Sequence, residues 1–172
     1  MDKEIFLKKY HKDAMVIEND IETISDIPQA WKEILCVGSA EEKITKVLLW
    51  WKTFAHPILS NTIMYLERNL IDVELIRYSG KYSLLYSIKT INNAVLYYEG
   101  GNPKKGKKPL EIQKHWDSFP VQIRKFYENL HDGYFYYASG SMGILPVEDI
   151  VVFGDEDWAI LDDLKEPLKI NI

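Results

Sequence analysis

The residues with the clearest chemical potential are carboxylates near the end of the chain. Aspartate and glutamate can bind a divalent metal or exchange protons with a substrate. Residues 155–157 read Asp-Glu-Asp, but they lack the ligand order and the glycine of a calcium-binding loop. We therefore expect no metal, no cofactor and no catalytic residue, and two alternatives stay open: a solvated face, or a docking surface for a cationic protein. The acidic residues of this region, opposed only by Lys165 and Lys169, are Glu148, Asp149, Asp155, Glu156, Asp157, Asp162, Asp163 and Glu166.

A second candidate is the stretch over residues 100–109, which is rich in glycine and lysine. Gly101, Gly106 and Lys107 have the spacing of a phosphate-binding loop. The next position, which needs a Ser or Thr hydroxyl to hold magnesium, is Lys108, and a proline follows it. The pattern therefore favours an exposed basic loop, either solvated or attracted to an anionic surface, and it marks a junction within the chain.

The histidines and the single cysteine show no arrangement for metal binding or nucleophilic catalysis. Cys36 lies in an apolar stretch, where we expect an inert thiol. One cysteine cannot form an internal disulfide, which favours a reducing compartment and a cytoplasmic protein. The histidines lack both the i to i+4 pairing and the neighbouring cysteines that are typical of zinc sites. We therefore expect capping or packing roles for His11, His56, His115 and His131.

Length and charge exclude several classes of protein. The 172 residues suit one domain with a substantial core, and the hydrophobic fraction of 47% is ordinary for a globular protein. The formal net charge of -5 argues against nucleic acid as the main partner, because phosphate contacts need a surplus of Lys and Arg. No segment reaches the roughly 18 to 20 apolar residues of a membrane span, so we expect no membrane partner.

The elements that would position these residues begin with helices. A short amphipathic helix is predicted over residues 2–14, where its apolar stripe needs a partner surface. Ser39 and Glu42 have the spacing of a capping box at the start of a longer helix, which Pro57 ends. From Val73 the pattern changes to alternation, and turn residues between three alternating runs predict a three-stranded antiparallel meander.

The segment over residues 115–146 joins a further helix to a strand. Apolar residues at spacings of three, four and seven predict the helix from Ser118 to Leu130, and Gly133 suits the left-handed position just past its end. The aromatic run that follows is typical of a strand, and alternation divides it between two faces. Tyr134 and Tyr136 share one face, and Phe135 and Tyr137 share the other.

This segment resembles the core of the SUKH superfamily, the cell-wall-assembly-regulator-like proteins. The resemblance rests on Phe119-Pro120, the apolar Phe126, the helix-ending Gly133 and Leu145-Pro146. It implies an α+β fold, with an antiparallel or mixed sheet and helices packed on one side. It also implies that Phe119, Phe126 and Leu145 share one core.

The resemblance also distinguishes two regions of the chain. Residues 1–110, with the first helices and the meander, are expected to be continuous with the motif region over residues 111–172. The turn that often precedes the last strands of the family has no counterpart before Ile172. We therefore expect a shortened C-terminal sheet, or a chain that is a fragment of a longer protein.

Many bacterial SUKH proteins are immunity proteins that neutralise a toxin, and the resemblance implies this function. We expect a protein without catalytic activity that binds a basic toxin, because acidic residues speed the encounter and aromatic anchors slow release. The alternative is a regulatory scaffold that binds an endogenous partner, for example in cell-envelope regulation. The sequence indicates no oligomeric state. The residues predicted to contact the partner are Tyr134, Tyr136, Glu148, Asp149, Asp155, Glu156, Asp157, Trp158, Asp162 and Asp163.

Overall fold

An antiparallel sheet of six strands runs through residues 2–151, the part of the chain that the computed structural model describes. The strands lie in sequence order, so each one pairs with the next one along the chain. They are β1 (Met15–Ile17), β2 (Leu70–Tyr78), β3 (Lys81–Lys89), β4 (Val95–Gly100), β5 (Tyr134–Tyr136) and β6 (Ser141–Ile144).

Helices occupy the connections before β2 and between β4 and β5. Together with the sheet they confirm the predicted α+β class. None of the helices within residues 2–151 has the length and apolar character needed to cross a membrane. The helices are α1 (Lys3–Tyr10), α2 (Gln29–Leu35), α3 (Ala40–Ala55), α4 (Ser60–Asn69), α5 (Leu110–His115) and α6 (Val121–Lys125).

The expected layer of helices covers one face of the sheet, and a further helix, α1, packs on the other. The face that carries Leu84 and Tyr86 packs against α2, α3 and α4, and we refer to it as the helix face. On the opposite face, Leu85 belongs to a smaller cluster with Phe6 and Leu7 of α1. The predicted amphipathic stripe of α1 thus finds its partner on this second surface, the α1 face.

The longest helix, α3, begins with the predicted cap. The Ser39 hydroxyl accepts the Glu42 N–H at 3.2 Å, while the Glu42 carboxylate accepts the N–H of Gly38 at 3.1 Å. The carboxylate therefore reaches one residue further back than in a standard capping box. The apolar stripe of the helix buries Val47 and Trp51 completely against the sheet.

The three-stranded meander is confirmed, together with its turns. Ser79 and Gly80 join β2 to β3 with φ angles of 49° and 74°. Asn93, between β3 and β4, has a φ angle of 61°. Asparagine and glycine tolerate this left-handed region better than other residues, which is why these positions predict tight turns.

The predicted helix from Ser118 to Leu130 forms in two parts. α6 ends at Lys125, and a π-helical turn continues to Leu130, where the N–H of His131 donates to the Phe126 carbonyl at 2.9 Å. Gly133 then has a φ angle of 83°, and a Cβ atom there would lie 2.7 Å from the Pro146 nitrogen. Both the conformation and the close approach therefore require glycine.

The expected core of Phe119, Phe126 and Leu145 forms only in part. Phe126 is fully buried in the helix-face core, and Phe119 is partly buried and packs against this core. Leu145 is 42% exposed, because its backbone rather than its side chain faces this region: its carbonyl accepts the Tyr127 hydroxyl at 2.8 Å. The core position is taken by Val147, which is 3% exposed.

Residues before and after position 110 share one sheet, because β4 and β5 pair with Tyr98 opposite Tyr136. The basic stretch between them is anchored to the body of the protein. The Asn102 amide donates to the Asp26 carbonyl at 2.7 Å, and the Lys104 ammonium donates to the Ile27 carbonyl at 2.8 Å. The stretch is therefore a docked loop rather than a fully solvated one.

Candidate functional site

A cleft lies on the part of the α1 face that α1 leaves uncovered. Because side chains alternate along strands, neighbouring strands aim Tyr78, Ser83, Glu99 and Phe135 to the same side. The cleft has two lobes of about 490 and 420 Å³. Both lobes include Tyr78, Glu99, Phe135 and Pro146, and we refer to them together as the Glu99 cleft.

Glu99 is the least exposed charged residue of this cleft, at 3%. Its two carboxylate oxygens lie 2.8 and 2.9 Å from the Tyr78 hydroxyl, which donates to them, and Ser83 supplies a second hydrogen bond. Burial raises the pKa of the Glu99 carboxyl, and the bonds from Ser83 and Tyr78 and the charge of Lys81 offset only part of this shift. No ion pair to Glu99 occurs within residues 2–151.

Tyr78 is held in place by aromatic neighbours. The ring of His11 stacks on it with centroids 3.9 Å apart, and Tyr137 meets it edge-on at 6.0 Å. Burial, followed by the nearby Glu99, raises the pKa of the Tyr78 hydroxyl, so it stays a hydrogen-bond donor at neutral pH. Burial lowers the pKa of His11 and Asp13 opposes the shift, so the imidazole is predominantly neutral at pH 7.

The two lobes differ in charge. The larger lobe combines both signs and is lined by Lys81, Lys105, Lys107, Asp132 and Glu148. In the smaller lobe the lining carboxyl groups are Glu99 and Asp149, and no lysine or arginine of the described chain lines it. Its walls are aromatic and include Tyr10, Tyr78, Phe135 and Tyr137. The smaller lobe is therefore an acidic, ring-lined site.

Two of the predicted partner-contact residues lie at this cleft. Glu148 and Asp149 are exposed on a short turn, Val147–Asp149, where Glu148 lines the larger lobe and Asp149 the smaller one. The Asp132 carboxylate orients the turn by accepting the Val147 N–H at 2.8 Å. Burial is the largest cause of the raised pKa of Asp132, and Glu148 and Asp149 add to it.

The two tyrosines chosen as partner contacts lie on the helix face, away from this cleft. Tyr134 is 5% exposed, so the expectation that it offers an exposed ring is wrong. Its ring packs against Trp51, Tyr86 and Tyr98. Tyr136 is half-buried beside Tyr98. The predicted alternation holds. The rings that border the acidic turn belong to the opposite pair, Phe135 and Tyr137, which are themselves largely buried at 9% and 2% exposure.

The remaining predicted contacts lie beyond Val151, outside the described residues, and they stay predictions. They are Asp155, Glu156, Asp157, Trp158, Asp162 and Asp163.

Sequence reasoning missed Glu99, Tyr78 and His11 as site residues. A signal existed at Glu99, since an acidic side chain shares the face of β4 that carries the buried Tyr97. A buried carboxyl group in such a register indicates a polar site beneath an otherwise apolar surface. No comparable pattern marks His11, because its contact with Tyr78 joins residues far apart in sequence.

A second polar cluster lies in the helix-face core but is closed to solvent. The Trp51 indole donates to the Tyr86 hydroxyl at 3.1 Å, and that hydroxyl lies 2.6 Å from Nε2 of His131. Since Tyr86 accepts from Trp51, its own hydrogen goes to Nε2, which leaves the ring proton on Nδ1. Burial lowers the pKa of His131 to about 3, so the imidazole is neutral. The expected packing role of His131 is therefore observed.

The other chemical candidates give no assembled centre. No group of His, Cys, Asp and Glu within residues 2–151 has a geometry suited to a metal ion. Lys108, at the position where a phosphate loop needs a hydroxyl, lies 4.2 Å from the centroid of the Trp116 ring and 3.7 Å from the Glu128 carboxylate. Cys36 is exposed rather than embedded in apolar surroundings.

Comparisons with known proteins found no match: no protein-family model, no curated protein and no solved structure matches the chain.

Proposed function

We propose that this chain is an immunity protein of the SUKH type, which neutralises a cognate bacterial toxin by direct stoichiometric binding in the cytoplasm and has no catalytic activity. The observation that carries the proposal is the smaller lobe of the Glu99 cleft. There the buried carboxyl group of Glu99 and the exposed one of Asp149 lie beside aromatic rings, of which Tyr10 is exposed and Phe135 and Tyr137 are largely buried. This combination suits a basic protein partner.

Two physical effects support this function. The net charge of -5 attracts a basic toxin over a distance, which raises the association rate. Aromatic side chains lose little conformational entropy on binding and bury a large area, so they are effective anchors once contact is made. The acidic residues beyond Val151 add to the negative charge of the chain.

A fixed scaffold also supports inhibition by binding. The floor of the cleft, formed by Tyr78, Ser83, Glu99 and Phe135, stands on β2, β3, β4 and β5, which are paired in one sheet. A preformed surface pays a smaller ordering cost when the partner binds, so more of the contact energy appears as affinity.

The test is co-expression with the toxin encoded beside this gene. We expect cell survival, and a one-to-one complex in size-exclusion chromatography with light scattering. The paired charge reversals Glu148→Lys and Asp149→Lys should weaken the complex at least tenfold. The matched control, Glu18→Lys with Glu33→Lys, makes the same change in net charge at exposed positions and should weaken it less.

Two results would contradict this function. One is the absence of both protection and complex with the neighbouring toxin. The other is a deletion strain with an envelope defect and no toxin gene nearby, which would favour the regulatory scaffold instead.

A further inference from the structure

We infer that the smaller lobe of the Glu99 cleft is a binding site for a guanidinium group, supplied by an arginine side chain of the partner protein. The inference deepens the proposed function and rests on it for the source of the arginine. The chemistry of the lobe, however, is argued from its own residues and can be tested on the chain alone.

The walls of the lobe are suited to a flat cation. Tyr10, which is 39% exposed, offers its ring at the opening, and the buried Tyr137 meets the rings of Tyr10 and Tyr78 at interplanar angles of 89° and 87°. Cations bind over the negative faces of aromatic rings, and a planar guanidinium can also stack on them. Phe135 adds a further apolar wall. A space of about 420 Å³ is large enough for an arginine side chain.

The lobe also holds an acidic group that lacks a cationic partner. Glu99 accepts hydrogen bonds from Tyr78 and Ser83, but a carboxylate has about four acceptor positions and two neutral donors leave some of them free. The buried carboxyl group has no ion pair within residues 2–151. A guanidinium would supply both the missing charge and the missing donors.

The residues around Glu99 compete only weakly with an incoming guanidinium for this carboxyl group. His11 stacks on Tyr78 in the lobe, and its neutral ring does not repel an incoming cation. Lys81 acts on Glu99 from the larger lobe, where its own side chain is exposed to solvent. Asp149 stands on the exposed turn at the edge of the lobe and attracts the same charge.

Arginine fits the lobe better than lysine does. An ammonium group is compact and strongly hydrated, so it loses more hydration energy when it enters a ring-lined space. A guanidinium is more weakly hydrated and offers five donors in one plane, which can reach Glu99 while the plane stacks on a tyrosine.

The experiment titrates the purified chain with Nα-acetyl-arginine amide and follows it by calorimetry and by two-dimensional amide NMR. The matched ligands are Nα-acetyl-citrulline amide, which has a similar shape without charge, and Nα-acetyl-lysine amide. We expect saturable binding of the arginine compound, with shifts at Ala138, Ser139 and Gly140, which line the lobe. The citrulline compound should bind at least tenfold more weakly, and the lysine compound several-fold more weakly.

Three variants test whether the arginine compound binds in the lobe. Glu99→Gln keeps the size of the side chain and should weaken the arginine compound at least tenfold. Asp149→Asn, at an exposed position, should weaken it about threefold because its charge is more strongly screened. The control is Glu33→Gln, an exposed charge on α2 across the sheet, and it should leave binding unchanged. Thermal unfolding checks that each variant is folded, and if Glu99→Gln does not fold, Asp149→Asn carries the comparison.

Three results would overturn the inference: no saturable binding of the arginine compound, equal binding of arginine and citrulline compounds, or equal loss in Glu33→Gln and in the lobe variants. Each of these can occur while the chain still protects cells against the neighbouring toxin. Failure of the guanidinium site is therefore distinguishable from failure of the immunity function.

Discussion

Tyr86 and Tyr134 are neighbours in the helix-face core, with ring centroids 5.2 Å apart, but their hydroxyls have different surroundings. The Tyr86 hydroxyl links Trp51 to His131 through two hydrogen bonds. The Tyr134 hydroxyl is buried and has no hydrogen-bond partner among the described residues. A buried polar group without a partner costs free energy, whereas a paired one contributes to stability.

This contrast leads to a prediction for two identical substitutions. Tyr86→Phe should lower the free energy of unfolding by about 2 kcal/mol, because it leaves the Trp51 N–H and Nε2 of His131 unpaired. Tyr134→Phe should change it by less than about 0.5 kcal/mol, or raise it, since no bond is lost. Urea denaturation of both variants measures the difference. Equal destabilisation would show that the Tyr134 hydroxyl is bonded in solution.

The buried His131 also predicts a dependence of stability on pH. Its folded-state pKa is about 3, whereas the unfolded imidazole takes up a proton near pH 6.5. Below that value the unfolded state binds more protons, so stability falls as the pH falls. At about 1.4 kcal/mol per pH unit, the loss from this site is about 2 kcal/mol between pH 7 and about pH 5.

The comparison that isolates His131 uses His131→Gln, which cannot titrate. Glu99 and Asp132 have raised pKa values and contribute with the opposite sign, since their folded-state penalty is relieved as the pH falls. Their contribution is common to wild type and variant and cancels in the difference. Unfolding in urea at several pH values should therefore give a flatter profile for the variant. A wild type as flat as His131→Gln would refute the prediction.

At the scale of elements, α1 decides the shape of the cleft. It covers part of the α1 face through Phe6 and Leu7, and the Tyr137 hydroxyl donates to the Leu7 carbonyl at 3.2 Å. Tyr137 is at once a wall of the smaller lobe and a contact of the helix. The same helix thus closes the second core and positions one of the rings at the site.

The contribution of α1 can be measured with two substitutions in the helix. Leu7→Ala should lower the free energy of unfolding by about 3 kcal/mol, because Leu7 is fully buried and its loss leaves a cavity. Ile5→Ala, at a side chain that is 65% exposed, should cost less than about 1 kcal/mol. Chemical denaturation of both variants is the measurement. Similar costs for the two would mean that α1 does not pack on the sheet as described.

At the scale of the whole molecule, one face of the sheet builds the main core and the other carries the cleft. The helix face holds the main core, in which Trp51 and Phe126 are fully buried. The α1 face holds a smaller core and leaves the Glu99 cleft accessible. An antiparallel sheet tolerates this division, because one face suffices to build a core and the other can face solvent.

The sequence by itself determined those features that depend on near neighbours in the chain. The cap at Ser39, the turns of the meander and the left-handed Gly133 all follow from local geometry and residue type. Alternation also divided the aromatic strand correctly between two faces. These predictions succeed because backbone conformation responds mainly to a few adjacent residues.

The tertiary structure alone decided which face became the site. Tyr134 lies in the core because α3 places Trp51 against it, whereas Phe135 and Tyr137 lie on the α1 face, where Tyr137 packs against α1 and both rings border the cleft. Neither fact follows from a local sequence pattern. The cleft brings His11 of the first connection, Glu99 of β4 and Asp149 of the last described turn together. Contacts between residues so far apart depend on how whole elements pack, because the energy of burial does not depend on position along the chain.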